Sequence, residues 1–229
     1  MHSVTVKEKP LNLQKPTGFF VNNLAEIEKR IIRAVANSKK GVIFDFDGVL
    51  ADNYGLRARI YQRALSKHGF HIHIDDVRKM YCGMGGREIF ERIVHKSGKD
   101  GEIIGLLKQD AYLEIDGRVR DVKLSRLHHK ITHFLQEKGV QRGIATNCHG
   151  GWDKVVYNLR LREFYKFILS ANDYEPKPSP QMLNAMLELM KLKPSEAVFI
   201  GDRQTDEEAG KAAGIETYRV RWAYKLRTP

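Results

Sequence analysis

Two spacings organise the apolar residues of this chain: recurrence every three to four positions, which marks amphipathic helices, and short unbroken runs, which mark buried strands. Over residues 23–35 the helical spacing holds, behind Asn23, a residue type that caps helix N-termini. Residues 41–46 form a run of the buried-strand type. From Tyr54 to about Asp121 only helical patterns occur: Leu56, Ile60, Ala64 and Leu65 share a face, as do Ile89, Phe90, Ile93 and Val94, then Ile103, Leu107 and Ala111. Beyond residue 123 the two spacings alternate. Helices are expected over 124–138, 152–160, 180–191 and 207–213, and strands over 142–146, 167–170, 197–201 and 216–220.

Such alternation predicts an α/β fold, a parallel sheet covered by helices. The 41–46 strand belongs to the same scheme, so the helical stretch after it reads as an insertion forming a small cap over the sheet. The expected organisation is an N-terminal extension with one helix over 1–38, an α/β core built from 39–53 and 122–229, and a helical cap over 54–121.

Composition adds limits. At 229 residues and 42% hydrophobic content the chain can bury a normal core. Its longest apolar runs, such as Ala197-Val198-Phe199-Ile200-Gly201, are strand-sized and far short of a membrane span. The first ten residues lack the apolar region of a secretory signal, so a cytoplasmic protein without membrane association is expected. Cys82 and Cys148 cannot form a disulfide framework and read as reduced thiols. A formal charge of +11 attracts anions, whether phosphorylated metabolites, nucleic acid or an acidic surface. The basic residues are spread without a long block, which favours a solvated basic surface over a dedicated nucleic-acid groove.

In open parallel sheets, ligands sit beyond the carboxyl ends of the strands, so polar residues just after a buried strand are the first candidates for chemistry. Asp45-Phe46-Asp47-Gly48 follows the first such strand, Thr146-Asn147 ends the second, and Asp202-Arg203-Gln204-Thr205-Asp206 follows the fourth. Lys177 precedes the helix that leads to the fourth strand. Asp45 and Asp47 point the same way on an extended segment and repel unless a cation or a proton separates them. Asp202 and Asp206 add hard oxygens, a donor set that suits Mg²⁺ better than a thiolate-seeking or imidazole-seeking ion. Any one aspartate alone reads as a turn or cap residue. Four at the ends of two strands, with a threonine and a lysine between them in sequence, read as a site.

These residues, in this order and spacing, resemble the haloacid dehalogenase-like (HAD) superfamily, in the branch with a helical cap after the first motif. Asp45-Phe46-Asp47-Gly48-Val49 is similar to motif I, Thr146 to motif II, Lys177 to motif III, and Gly201-Asp202 with Asp206 to motif IV. Residues 207–214 also resemble the helix that follows motif IV in phosphoglycolate-phosphatase-like members. The resemblance implies a Rossmann-like core and a Mg²⁺-dependent phosphatase acting on a small phosphorylated metabolite. In it Asp45 is the nucleophile and Asp47 the acid and base, while Thr146 and Lys177 bind the transferring phosphoryl group. The implied metal ligands are Asp45, the backbone carbonyl of Asp47, and Asp202, with Asp206 orienting Lys177 or a metal-bound water. A carboxylate at Asp47 favours expulsion of an alkoxide over dehalogenation, which needs no acid there. A phosphosugar mutase uses the same two aspartates, but such mutases carry a histidine about twelve residues after the nucleophile, where this chain has Arg57.

Substrate contacts are expected from Asn147, Arg57 and Arg87, the last in a glycine-rich cap segment, Gly83-Met84-Gly85-Gly86-Arg87, which reads equally as a helix entry with a solvated arginine. The pairs His129/His133 and His71/His73 lack a third ligand at recognisable spacing and read as solvated or packed histidines. Cys148 and His149 follow motif II and read as lining of the site mouth. A second reading, a terminal-phosphate phosphatase directed at nucleic acid through the basic surface, is kept behind the small-molecule one. A noncatalytic interaction protein is disfavoured by the complete set of Asp45, Asp47, Thr146, Lys177 and Asp202.

Overall fold

The computed structural model describes residues 18–82, 84–98, 101–148 and 151–227. The first seventeen residues of the expected N-terminal extension, Gly83 and His149 lie outside them. In chain order, β1 (Gly18–Asn22) and α1 (Leu24–Ala36) precede β2 (Gly41–Phe44), and α2 (Tyr54–Lys67), α3 (Ile74–Tyr81), α4 (Gly86–Lys96) and α5 (Ile103–Gly117) follow. Next come α6 (Arg126–Glu137), β3 (Gln141–Thr146), α7 (Trp152–Asn158), β4 (Phe167–Ser170), α8 (Gln181–Met190), β5 (Ala197–Gly201), α9 (Gln204–Ala212), β6 (Glu216–Arg219) and β7 (Trp222–Leu226).

β2 is buried at every position because it is central: β3 lies on one side and β5 on the other, both parallel to it. β4 and β6 complete a five-stranded sheet of order β4-β3-β2-β5-β6 in which every neighbouring pair is parallel. Side chains alternate across the sheet. Val42 and Phe44 enter one apolar cluster with Leu24, Ile27 and Ile31 of α1 and Leu127, Ile131 and Leu135 of α6. Ile43 enters a second with Met182, Leu183 and Met186 of α8 and Ala209 of α9. The α/β fold read from the sequence is thus observed, with four α-helices and no strand among the described residues between β2 and α6.

Three local expectations are corrected. The first strand stops at Phe44 rather than residue 46, because the Phe46 carbonyl turns to accept from the N–H groups of Leu50 and Ala51, at 3.0 and 2.9 Å. Asn23 stands at the start of α1 without capping it; its Oδ1 accepts from the Arg221 N–H at 2.7 Å, tying the helix entry to the chain beyond β6. The expected one-helix extension also contains β1, which pairs antiparallel with β7 from Gly18↔Leu226 to Asn22↔Trp222.

Candidate active site

The carboxyl ends of β2, β3 and β5 meet at the floor of a cavity of about 760 Å³, lined by Asp45, Asp47, Thr146, Asn147, Lys177, Asp202 and Asp206, with Arg57 and Arg87 among the cap-side residues. Every residue singled out from the sequence as catalytic, metal-binding, supporting or substrate-contacting therefore faces one space. Parallel pairing explains the convergence, since β2, β3 and β5 all release their next residues on the same edge.

Lys177 is the hub. Its buried Nζ donates to Asp206 Oδ1, with an ion-pair distance of 2.6 Å, to Asp45 Oδ1 at 2.9 Å and to the Ala145 carbonyl at 2.8 Å. Burial acts to lower its pKa, but the Asp206 and Asp45 carboxylates outweigh burial and hold the ammonium above its ordinary value. The shorter contact goes to Asp206, so Asp45 remains short of positive charge. Burial, reinforced by Asp206, Asp202 and Asp47 against the pull of Lys177, pushes the Asp45 carboxyl well up. Asp202 is pushed up too, by burial first, with Arg203 offsetting it only in part.

These buried carboxylates are where a cation fits. Oxygens of Asp45, Asp202 and Asp206 lie within 4.8 Å of one another. Asp206 is already committed, because its Oδ2 accepts from the N–H groups of Asp202 and Arg203 at 3.0 and 2.9 Å while Oδ1 holds Lys177. The donor set left for a hard divalent ion is Asp45 and Asp202, together with the Asp47 carbonyl, which accepts no backbone hydrogen bond among the described residues. Gly48, at φ 77°, closes the turn beneath them, and a Cβ there would lie 2.5 Å from Asp202 Oδ2.

Asp47 has a different setting. Its carboxylate accepts from Asn53 Nδ2 and Arg57 Nη2 and, at 3.1 Å, from the Cys148 thiol. Burial alone would raise its pKa, but the Arg57 guanidinium and these hydrogen bonds prevail and hold the carboxyl below its ordinary value. Arg57, expected as a substrate contact, is thus paired with Asp47. Asn147 also has a structural partner: its Nδ2 donates to the Lys177 carbonyl and its Oδ1 accepts the Lys177 N–H, both at 2.8 Å. Thr146 is buried and accepts from the Cys148 N–H at 3.2 Å. Arg87 stands on the rim, exposed and paired with Glu91 one helical turn on.

Four neighbours of the site were given no role in the sequence reading. Tyr54 OH donates to Asp202, and Asn53 donates to Asp47; both follow motif I closely, and that proximity was the available signal. Arg203 donates to the carbonyls of Tyr81 and Met84, at 2.9 and 2.6 Å, joining the motif IV loop to the end of α3. Trp222 stacks on Tyr54 and donates to the Gly48 carbonyl at 2.8 Å, which no local pattern announces. Of the histidines, His73 caps α3 and His133 is exposed beside Glu137; among the described residues neither belongs to a metal-type cluster. Cys82 and Cys148 are free thiols. No described helix is long and apolar enough to cross a membrane.

Comparison with known proteins gives the family and the fold. Over 188 residues the chain is 27% identical to a phosphoglycolate phosphatase of Aquifex aeolicus, covering 80% of this chain and 85% of that one. It is 26% identical over 188 residues to the pyrophosphatase PpaX of Anoxybacillus flavithermus, covering 81% and 85%. The fold is shared with a HAD-superfamily hydrolase of subfamily IA from Geobacter sulfurreducens, with a TM-score of 0.64, 24% identity and coverage of 80% and 87%. CbbY from Rhodobacter sphaeroides, solved in complex with phosphate, shares it with a TM-score of 0.62, 19% identity and coverage of 78% and 84%. The model of the haloacid dehalogenase-like hydrolases matches residues 42–220, which span the five-stranded parallel sheet from β2 to β6, and the chain belongs to that family, in its phosphoglycolate-phosphatase-like branch.

Proposed function

We propose that this chain is a Mg²⁺-dependent phosphatase that hydrolyses a small phosphate monoester through an aspartyl-phosphate on Asp45. The observation that carries the reading is the buried contact of Lys177 with Asp45 at 2.9 Å, in a cavity that Asp202 and Asp47 also line. A cavity of about 760 Å³ suits a small metabolite. The phosphatase and pyrophosphatase names of the relatives support phosphoryl transfer.

The Asp45 carboxylate attacks phosphorus in line, the bond from phosphorus to the leaving oxygen breaks, and Asp47 supplies the proton that oxygen takes up. Water then gives a proton to Asp47 and attacks the phosphorus of the acyl phosphate, which releases inorganic phosphate and restores Asp45. Thr146 hydrogen-bonds the phosphoryl oxygens, Lys177 neutralises them, and Asn147 fixes the backbone that carries Lys177. Mg²⁺, when bound, supplies the positive charge that Asp45, Asp202 and a phosphoryl group lack.

Asp47 starts this cycle ionised against Arg57. A phosphate dianion entering the cavity competes for Arg57 and adds negative charge beside Asp47, and both effects raise the proton affinity of the carboxylate. Arg57 thereby gains its substrate contact at the moment Asp47 gains its proton. The helical insertion over 54–121 selects the substrate, with Arg87 on the rim available to a second anionic group.

The test is rapid-quench detection of acid-stable phosphate on the protein, across esters of differing leaving-group pKa. Asp45→Asn forms no phosphoenzyme and turns over at background rate. Asp47→Asn loses most with poor leaving groups and least with aryl phosphates in the phosphorylation step, and is slow in dephosphorylation throughout. Labelled Asp45→Asn protein, or an Asp47→Asn phosphorylation defect independent of leaving group, would overturn the assignment.

A further inference from the structure

We propose that the cap carries a second anion site, separate from the catalytic cavity, in which Arg59, Arg63, Arg78 and Arg118 receive a phosphate-bearing small anion. The site is a pocket of about 300 Å³ on the far side of α2, lined by those four arginines with Gly55, Leu56, Ile60, Glu114 and Asp121. None of Asp45, Asp47, Thr146, Lys177 or Asp202 borders it. Leu56 and Ile60 border both spaces, so a single helix wall separates them.

Arg78 is the anchor. It is only 6% exposed, no carboxylate lies within ion-pair distance of it among the described residues, and its Nε has no hydrogen-bond partner. A buried guanidinium N–H left unmet is costly, and an anion in the pocket would satisfy it. Its orientation is set by β1 and β7: Nη1 donates to Tyr224 OH at 3.2 Å, and the guanidinium lies 5.5 Å from the ring centres of Phe20 and Tyr224. Arg63 and Arg118 are braced on a shared partner, Glu114 Oε1, at 2.6 and 3.0 Å, and Arg118 also reaches Asp121. Arg59 is exposed at the mouth and has no ion-pair partner among the described residues. Four guanidinium groups against two carboxylates leave an excess of two positive charges, which matches a phosphate dianion, and the fork of an arginine fits its oxygens bidentately. The volume admits inorganic phosphate or a small phosphorylated metabolite.

Equilibrium dialysis with labelled inorganic phosphate tests the site, comparing wild type with Arg78→Gln, Arg59→Gln and, as a control for general surface charge, Lys138→Gln. Arg78→Gln binds one phosphate fewer per chain than wild type. Arg59→Gln, whose side chain supports no packing, keeps its turnover in phosphate-free buffer and binds that same phosphate at least about tenfold more weakly. If the Arg78 variant fails to fold, the Arg59 variant decides. Stoichiometry and affinities unchanged from wild type in Arg59→Gln overturn the site, as does an equal loss in Lys138→Gln, which would mark the effect as diffuse attraction to a basic surface.

Discussion

At the scale of single residues, the site separates two carboxylates that lie two positions apart. Asp45 is pushed toward its neutral form by burial that Lys177 offsets only in part, whereas Asp47 is held ionised by Arg57 and its hydrogen bonds. Removing Arg57 tests this division. In Arg57→Leu, burial of Asp47 is no longer opposed by the guanidinium, so its pKa rises. If Asp47 is the acid, as proposed, it must be protonated to serve the leaving group, and the basic limb of the pH profile of kcat/KM moves to higher pH. The maximum falls, by roughly 10- to 100-fold, through the lost phosphate contact. A limb that stays in place would show that Asp47 does not set it. That Asp45, Asp47 and Asp202 share a cavity was legible in the sequence because a strand end fixes which residues enter it. Lys177, in the loop before α8, was legible only through the motif order. The Asp47–Arg57 pairing was not, because it depends on where α2 begins and on which way its second turn points.

At the scale of elements, α6 contains a titratable group that the chemistry does not use. His128 is buried, its Nδ1 lies 2.9 Å from Tyr165 OH, and the Phe164 ring meets it edge on. Burial, with the neighbouring His129, lowers its pKa from 6.5 to about 4. The unfolded imidazole accepts a proton that the folded one refuses, so the stability contributed here is complete above pH 6.5 and drains away as pH falls toward 4. Urea midpoints across that window should fall more steeply for wild type than for His128→Gln, and parallel slopes would remove His128 from the acid sensitivity. The helical patterns over 54–121 and the alternation after residue 123 were readable because each element carries its own period. β1 and β7 were not, since each is five residues long, only partly buried, and paired with a segment about 200 residues away.

For the whole molecule, the partly compensated carboxylates beneath the cavity would make the proposed metal a folding ligand as well as a reagent. With the Asp45 and Asp202 pKa values raised, the metal-free fold holds protons that the unfolded chain releases, so its stability declines as pH rises from the ordinary carboxylate value of 3.8. Mg²⁺ at about 100 times its Kd adds roughly 2.7 kcal/mol, or a Tm gain of about 5–10 °C for a chain of this size. Thermal scans with Mg²⁺ and with excess chelator check this, the gain growing with pH and phosphatase activity vanishing with the chelator. Equal Tm values under both conditions would remove the cation from this pocket.

The clasp of β1 on β7 has a kinetic consequence. Joining segments about 200 residues apart carries a loop-closure cost of several kcal/mol in a loose chain, and the cost shrinks once the parallel sheet between them has formed. The clasp is therefore expected to close late in refolding. Its first β7 residue, Trp222, is the one that holds the Gly48 carbonyl and stacks on Tyr54, so the catalytic turn is fastened by the same late event. Trp152 and Trp222 are the two tryptophans of the chain, and Trp152→Phe leaves Trp222 as the sole reporter. In stopped-flow refolding of that variant, helix and sheet ellipticity should recover before Trp222 fluorescence, with enzymatic competence following the fluorescence. A single rate constant for all three would mean that the ends join as the sheet does.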